Sequence, residues 1–264
     1  MTALSYAVSD SATMLRRNLK RMVRYPSMTV ILVGMPVVFL LLFVYVFGGT
    51  LGAGLGGVTG GRAEYLEYVV PGILMISVAS AAQGTAITVA MDMTEGIIAR
   101  FRTMAIYRPS VLTGHVVGSM IQSLIGVTLV LGVALALGFR PNATPAEWLA
   151  TYGVLCLIIL ALTWLCVALG LASKTVEAAS NLPMPLVLLP FFGSGFVPTE
   201  SMPTALRLFA EHQPFTPVIE TVRGLLTGTP IGDSAAIMAA WSVALSLAGY
   251  LWAVRLYNRD PSRA

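Results

Sequence analysis

Few residues in this chain are of types that carry catalysis, and their spacing excludes the common reactions. His115 and His212 are the only histidines. No His-x-x-x-His pair exists, and no facing cluster of acids in the apolar segments could hold zinc with them. Cys156 and Cys166 are the only cysteines; ten residues apart on one helix, they would be separated by about 15 Å of rise, too far for a disulfide. No metal site or catalytic residue is predicted.

Two segments resemble nucleotide-binding motifs, but one lacks the required structural context and the other lacks a required residue. The glycines of Gly52-x-Gly54-x-x-Gly57 match the bare dinucleotide fingerprint, but they follow an apolar helix where a strand is required. Lys174-Thr175 is the nearest approach to a phosphate-binding loop, and Ser173 stands in place of its glycine. The chain is therefore predicted not to be an enzyme, with no cofactor of its own.

The elements that would position these residues are apolar over most of the chain. Hydrophobic residues make up 56% and charged residues 11% of the 264 residues, with a mean hydropathy of +0.82. Six windows without Asp, Glu, Lys or Arg each exceed the roughly 20 residues that a helix needs to cross a bilayer. We predict an all-α integral membrane protein with one domain, 1–264, and spans at 28–47, 69–90, 111–137, 149–172, 181–196 and 235–256.

Three details of these segments carry further predictions. The glycine-rich stretch 48–61 after the first span is predicted to be an outer loop. The spacing Gly114-x-x-x-Gly118 in the third span allows close helix approach. His115, near the inner end of that span, is interpreted as a polar residue at the membrane interface.

The charges predict the orientation of these spans. With both termini in the cytoplasm, the inner segments hold twelve of the 16 Lys and Arg residues, as the positive-inside rule requires. Residues 1–27 form a basic amphipathic helix, either lying among lipid headgroups or acting only as an orientation anchor. The net charge of +4 is thus explained by topology and not by nucleic-acid binding.

The fifth predicted span is interrupted, and the segment after it is unusual. Pro183, Pro185 and Pro190 fall within 181–196, and each removes a backbone donor. The outer segment 198–233 is apolar but punctuated by prolines and acids. Two short re-entrant helices in the outer leaflet explain it best; a small external helical hairpin resting on the spans is the alternative.

Polar residues inside the spans are few. No span contains an ionisable group near the bilayer midplane, which argues against ion-coupled transport. Gln83 and Gln122 either line a polar path or form single interhelical hydrogen bonds, and the hydrogen bonds are favoured. The inner loop 92–110 is different, because it combines apolar residues with Arg100 and Arg102. Such a short helix suits docking in a groove of another protein.

Three segments resemble the membrane subunits of ABC-2 type exporters, specifically the daunorubicin-resistance type of actinobacteria. They lie in 36–49, in 95–104 and in 196–228, and the third segment is the most specific. The resemblance implies a multi-pass permease in a bacterial cell membrane, serving multidrug or antibiotic export and resistance. It also implies a separate ABC ATPase subunit holding ATP and Mg, and a second permease copy, identical or related.

The resemblance also implies roles for individual residues. The ATPase-coupling contact would comprise Glu95, Gly96, Arg100, Phe101 and Arg102. One departure is that the family usually has a proline near Ala105, whereas this chain has Pro109.

Transport by alternating access would use a path between the two copies, bordered in our hypothesis by Phe39, Phe43, Gln83, Pro183 and Pro190. The substrate would be a lipophilic or amphiphilic drug, antibiotic or lipid. A passive channel, an ion-coupled secondary carrier and a membrane enzyme are the competing classes.

Overall fold

The structure is a computed structural model that describes residues 3–24, 26–56, 61–97 and 109–258, and every regular element among them is helical. The α-helices are α1 (Ala3–Arg24), α2 (Pro26–Leu42), α3 (Gly48–Gly56), α4 (Arg62–Thr94), α5 (Pro109–Ala136), α6 (Pro145–Ala172), α7 (Val176–Asn181), α8 (Met184–Leu188), α9 (Thr204–His212), α10 (Phe215–Thr227) and α11 (Ser234–Asn258). A π-helical turn, Phe43–Phe47, joins α2 to α3, and 3-10 turns occupy Leu189–Phe192 and Thr199–Ser201.

Five helices in the described residues are long and apolar enough to cross a membrane. They are Val33–Ala53, Arg62–Thr94, Ser110–Ala136, Pro145–Ala172 and Ser234–Asn258. At the place of the fifth predicted span lies a shorter apolar run, Val176–Phe192, divided into α7, α8 and a 3-10 turn. Its prolines account for the division, because each lacks the N–H that continues a helix.

Helix α4 is the centre of the molecule. It packs against α2, α5, α6, α7 and α10, and its side chains are buried nearly all round, as in Tyr65, Ile73 and Met75. A helix that is apolar on every side is stable only when it is enclosed in this way. The helices packed on α4 therefore take their positions from it.

Two predicted boundaries are wrong. Helix α4 begins at Arg62, before the predicted start at Val69, and it continues to Thr94, so Asp92 is helical and does not belong to a loop. The glycine-rich stretch after the first span, predicted as a loop, is helical as far as Gly56. A Cβ at Gly52 would collide with the carbonyl of Gly61, so close tertiary packing outweighs the poor helix propensity of glycine.

Helix α1 lies along α5. Met14 is buried there, and Asn18 donates to the carbonyl of Gly114 at 2.8 Å. The spacing Gly114-x-x-x-Gly118 predicted a close helix approach, and α1 is the helix that approaches. The basic helix, predicted to lie among lipid headgroups or to act as an orientation anchor, thus also has a protein partner.

The outer segment contains the two short helices that its pattern predicts. Helix α10 is mostly buried and packs against α4, α6 and α11. Helix α9 instead leaves Leu208 and Phe209 exposed. The start of α6 on this side is set by a capping box, in which Thr144 and Glu147 bond reciprocally.

Candidate functional site

The predicted coupling segment begins at an exposed helix end. Glu95 ends α4, donating its N–H to the carbonyl of Met91 at 2.9 Å. Gly96 follows in the left-handed region, with φ at +71°, and donates to the carbonyl of Met93 at 3.1 Å. Both residues are exposed. Glycine takes this conformation at little cost, so the chain leaves α4 in a direction that Gly96 defines.

The rest of that segment lies outside the described residues. Arg100, Phe101 and Arg102 are all within 98–108, and their predicted contact with an ATPase stays a prediction.

A buried polar cluster joins three helices one turn before this exit. Asp92 of α4 is 1% exposed, and its carboxylate accepts from the guanidinium of Arg17 on α1. The imidazole of His115, on α5, lies 3.1 Å from the same oxygen and is 4% exposed. We predicted His115 to be a polar residue near the inner end of the third span. The cluster was missed because Asp92 was assigned to a loop.

Aromatic side chains of α2 and the π-helical turn contact the end of the interrupted run (Val176–Phe192) and the turn that follows it. The ring of Phe43 lies 4.6 Å from that of Phe196 and 6.3 Å from that of Phe191. Phe39 meets Phe191 edge to face at 5.6 Å, and Phe191 stacks on Phe196 at 4.8 Å. Such pairs contribute about 0.5–1.5 kcal/mol each beyond their burial. This aromatic junction makes the packing of α2 depend on the segment that Pro190 opens.

The other predicted path residues lie along α4 and the same run. Gln83 donates to the carbonyl of Ser180 at 2.6 Å, the interhelical hydrogen bond that the sequence favoured. Pro183 and Pro190 are buried. The structure therefore brings Phe39 and Phe43 to the residues after Pro190, and Gln83 to the residues before Pro183.

Arg223 was not predicted as a functional or structural residue, yet its guanidinium ties three elements together. It donates to the carbonyl of Tyr68 at 3.1 Å and to that of Ser194 at 2.6 Å, and its centre lies 4.0 Å from the Tyr68 ring. Its Nε, which is buried, has no hydrogen-bond partner. The sequence signal that could have identified Arg223 was a single cation among the mostly apolar residues of α10.

Arg207 and Glu211 form an exposed ion pair on α9. The hydrogen bond that Arg207 donates to Glu211, together with the negative charge of Glu211, raises the pKa of the Arg207 guanidinium. Among the described residues, no group of three His, Cys, Asp or Glu side chains could hold a metal ion.

A bundle of helices long and apolar enough to cross a membrane, enclosing a central helix, is the architecture of a multi-pass membrane protein. Residues 11–227 match the model of the ABC-2 type transporter family. The chain belongs to that family.

Two relatives carry names from drug resistance. The chain is 28% identical over 232 residues to the daunorubicin resistance ABC transporter permease protein DrrB1 of Streptomyces coeruleorubidus, a match covering 86% of this chain and 78% of the relative. It is 27% identical over 183 residues to the probable doxorubicin resistance ABC transporter permease protein DrrC of Mycobacterium tuberculosis, covering 68% of this chain and 65% of that protein.

Proposed function

We propose that this chain is the permease subunit of an ATP-driven exporter that moves a lipophilic or amphiphilic drug, antibiotic or lipid out of the cell. The family match over residues 11–227 carries the proposal. Its relatives are named as permease proteins of drug-resistance transporters. A passive channel or an ion-coupled carrier is not favoured by either finding.

Energy would come from a separate ABC ATPase that holds ATP and Mg. The exposed exit at Glu95 and Gly96 supports a docking contact there, continued by Arg100, Phe101 and Arg102. Gly96 ends α4 in the left-handed conformation typical of a helix C-terminus. ATP-driven closure of the ATPase would press on that segment and move the inner end of α4.

We further propose six crossings with both termini in the cytoplasm, the run Val176–Phe192 completing the fifth. Support comes from its apolar composition and from its packing on α4. Helices α9 and α10 would then be the re-entrant pair in the outer leaflet.

A second permease copy would complete the path. Large apolar side chains are exposed on α2 and on the interrupted run, among them Val38, Leu188 and Phe192. These surfaces face lipid or another copy, and the path would run between the copies along Phe39, Phe43, Gln83 and the Pro183–Pro190 segment.

The test is reconstitution of the permease in lipid vesicles with and without a co-expressed candidate ATPase. We expect the ATPase to copurify, and transport of an amphiphilic dye or anthracycline to require ATP. An ATPase variant lacking its phosphate-loop lysine is the matched control and should abolish transport while still binding. Transport without nucleotide, by a permease that binds no ATPase, would overturn the proposal.

A further inference from the structure

Helix α1 is attached to both helices that flank the proposed coupling segment. Helix α4 ends at Thr94 and α5 begins at Pro109, so any displacement of the segment between them must act on these two ends. Arg17 of α1 donates to Asp92 of α4, and Asn18 of α1 donates to a carbonyl of α5. Arg17 and Asn18, in one turn of α1, therefore bond to the end of α4 and to the beginning of α5.

The charged part of this attachment is buried on the α4 side. The Asp92 side chain is 2% exposed and that of Arg17 is 33% exposed. Attraction between charges is stronger where water is excluded, and separating the pair would leave a carboxylate buried without its cation. His115 lies at hydrogen-bond distance from the same oxygen, so α5 is held to the same atom.

Shape complements charge in the contact with α5. A Cβ at Gly114 would lie 2.5 Å from the Cβ of Met14, and one at Gly118 would lie 3.1 Å from the Cβ of Asn18. The turn at Gly114 thus admits α1 only because it lacks a side chain, whereas a Cβ at Gly118 would require a shift of only a few tenths of an ångström. Backbones in such close contact lose dispersion energy when either helix shifts, so sliding of α1 along α5 is opposed.

We infer that Asp92 is a positioning residue for energy coupling. It makes α1 and the inner ends of α4 and α5 move as one body, and α1 then passes the displacement to α2. The inference rests on the proposed function. Helix α1 ends at Arg24 and α2 begins at Pro26, so a rotation of α1 turns the inner end of the helix that carries Phe39 and Phe43. Here α1 transmits motion, instead of only anchoring the chain among headgroups.

A cross-link tests whether α1 and α5 move together. In a background with Cys156→Ala and Cys166→Ala, the pair Asn18→Cys and Gly118→Cys places two Cβ atoms close to the spacing of a disulfide, about 3.5–4.5 Å. We expect ATP-dependent transport by the oxidised protein to equal that of the same protein after reduction. Transport that is lost on oxidation and restored by reduction would show that α1 moves relative to α5, and would overturn the inference. Each single cysteine variant, oxidised in the same way, is the control.

Asp92→Asn tests the bond to α4. We expect the variant to retain ATPase binding and ATP hydrolysis while the number of substrate molecules transported per ATP falls by about fivefold or more, the size of a typical coupling between sites. Arg17→Lys, which keeps the cation, should retain most of the coupling. Glu177→Gln, at an exposed carboxylate on α7, should behave as the unsubstituted protein.

If Asp92→Asn transports as many substrate molecules per ATP as the unsubstituted protein, the inference is contradicted. A loss of ATPase binding also contradicts it, because Asp92 would then be a docking residue. Failure of the proposed function looks different, because the unsubstituted protein itself would then show no nucleotide-dependent transport. If Asp92→Asn does not fold, the cross-link still decides whether α1 and α5 move together, as the inference requires.

Discussion

Arg223 shows how a single side chain holds the outer half of the molecule. Its guanidinium bonds to one carbonyl on α4 and one in the turn after Phe192, and it stacks on Tyr68. No acid of the described residues lies within ion-pair distance of it. Carbonyl oxygens and an aromatic face thus compensate the charge. Arg223 joins α10 to the interrupted run and to α4 at the same time.

Replacing Arg223 by Met should destabilise the purified protein, because the carbonyl of buried Ser194 loses this donor at about 1–3 kcal/mol and the contacts with the Tyr68 carbonyl and ring are lost. Arg223→Lys keeps the charge but cannot reach two carbonyls with a planar fork, so an intermediate loss is expected. The midpoint of thermal unfolding in detergent measures both. Arg207→Met, at an exposed arginine on α9, is the control and should change little; an equal loss in both Met variants would refute the role of Arg223.

Gly96 carries a second prediction at this scale. No atom lies within 4 Å of a Cβ built there, but φ is +71°. Gly96→Ala therefore costs about 1–2 kcal/mol through backbone strain alone, and we expect it to redirect the coupling segment and weaken ATPase binding. Gly96→Asn should bind better than Gly96→Ala, because Asn tolerates this conformation. Copurification with the ATPase is the measurement, and equal binding by all three proteins would contradict the docking proposal.

Residue patterns predicted part of this site and not the rest. Gln83 was favoured as an interhelical hydrogen bond because an amide in lipid must be satisfied, and it is one. The Gly114 and Gly118 spacing predicted close packing, although nothing in the sequence named α1 as the partner. Asp92 and Arg223 were missed because their partners stand 75 and 155 positions away in sequence. Periodicity within one helix carries no information about contacts at that separation.

At the scale of elements, the interrupted run depends on how closely α4 can approach it. A Cβ at Gly72 would lie 2.7 Å from the carbonyl oxygen of Gly195, in the turn directly after that run, so backbone meets backbone. The adjacent aromatic junction then fills the space on the α2 side. The proline breaks do not leave a loosely held segment, because two neighbouring helices cover it.

Gly72→Ala should push α4 away from the interrupted run. Overpacking of this kind costs about 1–3 kcal/mol, and we expect a lower unfolding midpoint together with reduced transport. Gly153→Ala, in α6, is the matched control, since its Cβ would meet no atom within 4 Å. If Gly72→Ala were as stable and active as Gly153→Ala, the close approach would have no energetic role.

At the scale of the whole molecule, the number of crossings depends on whether Val176–Phe192 traverses the bilayer. Lys174, Glu200 and Thr229 are exposed positions on either side of that run. With Cys156 and Cys166 replaced, single cysteines at these positions can be labelled with a membrane-impermeant maleimide on intact cells. We expect labelling at 200 and 229 from outside, and at 174 only after permeabilisation. Labelling of 174 and 200 from the same side would reduce the count to five.

The shortness of the interrupted run also bears on how the protein is made. A nascent helix is accepted into the membrane according to its length and apolar content, and about 20 residues are needed to span. Val176–Phe192 is shorter than that and divided by prolines. It is therefore a poor signal for the translocon when it first emerges from the ribosome. Arg223, which bonds to the turn after this run, belongs to α10 and is synthesised later. The run therefore takes its final position only after α10 has been made.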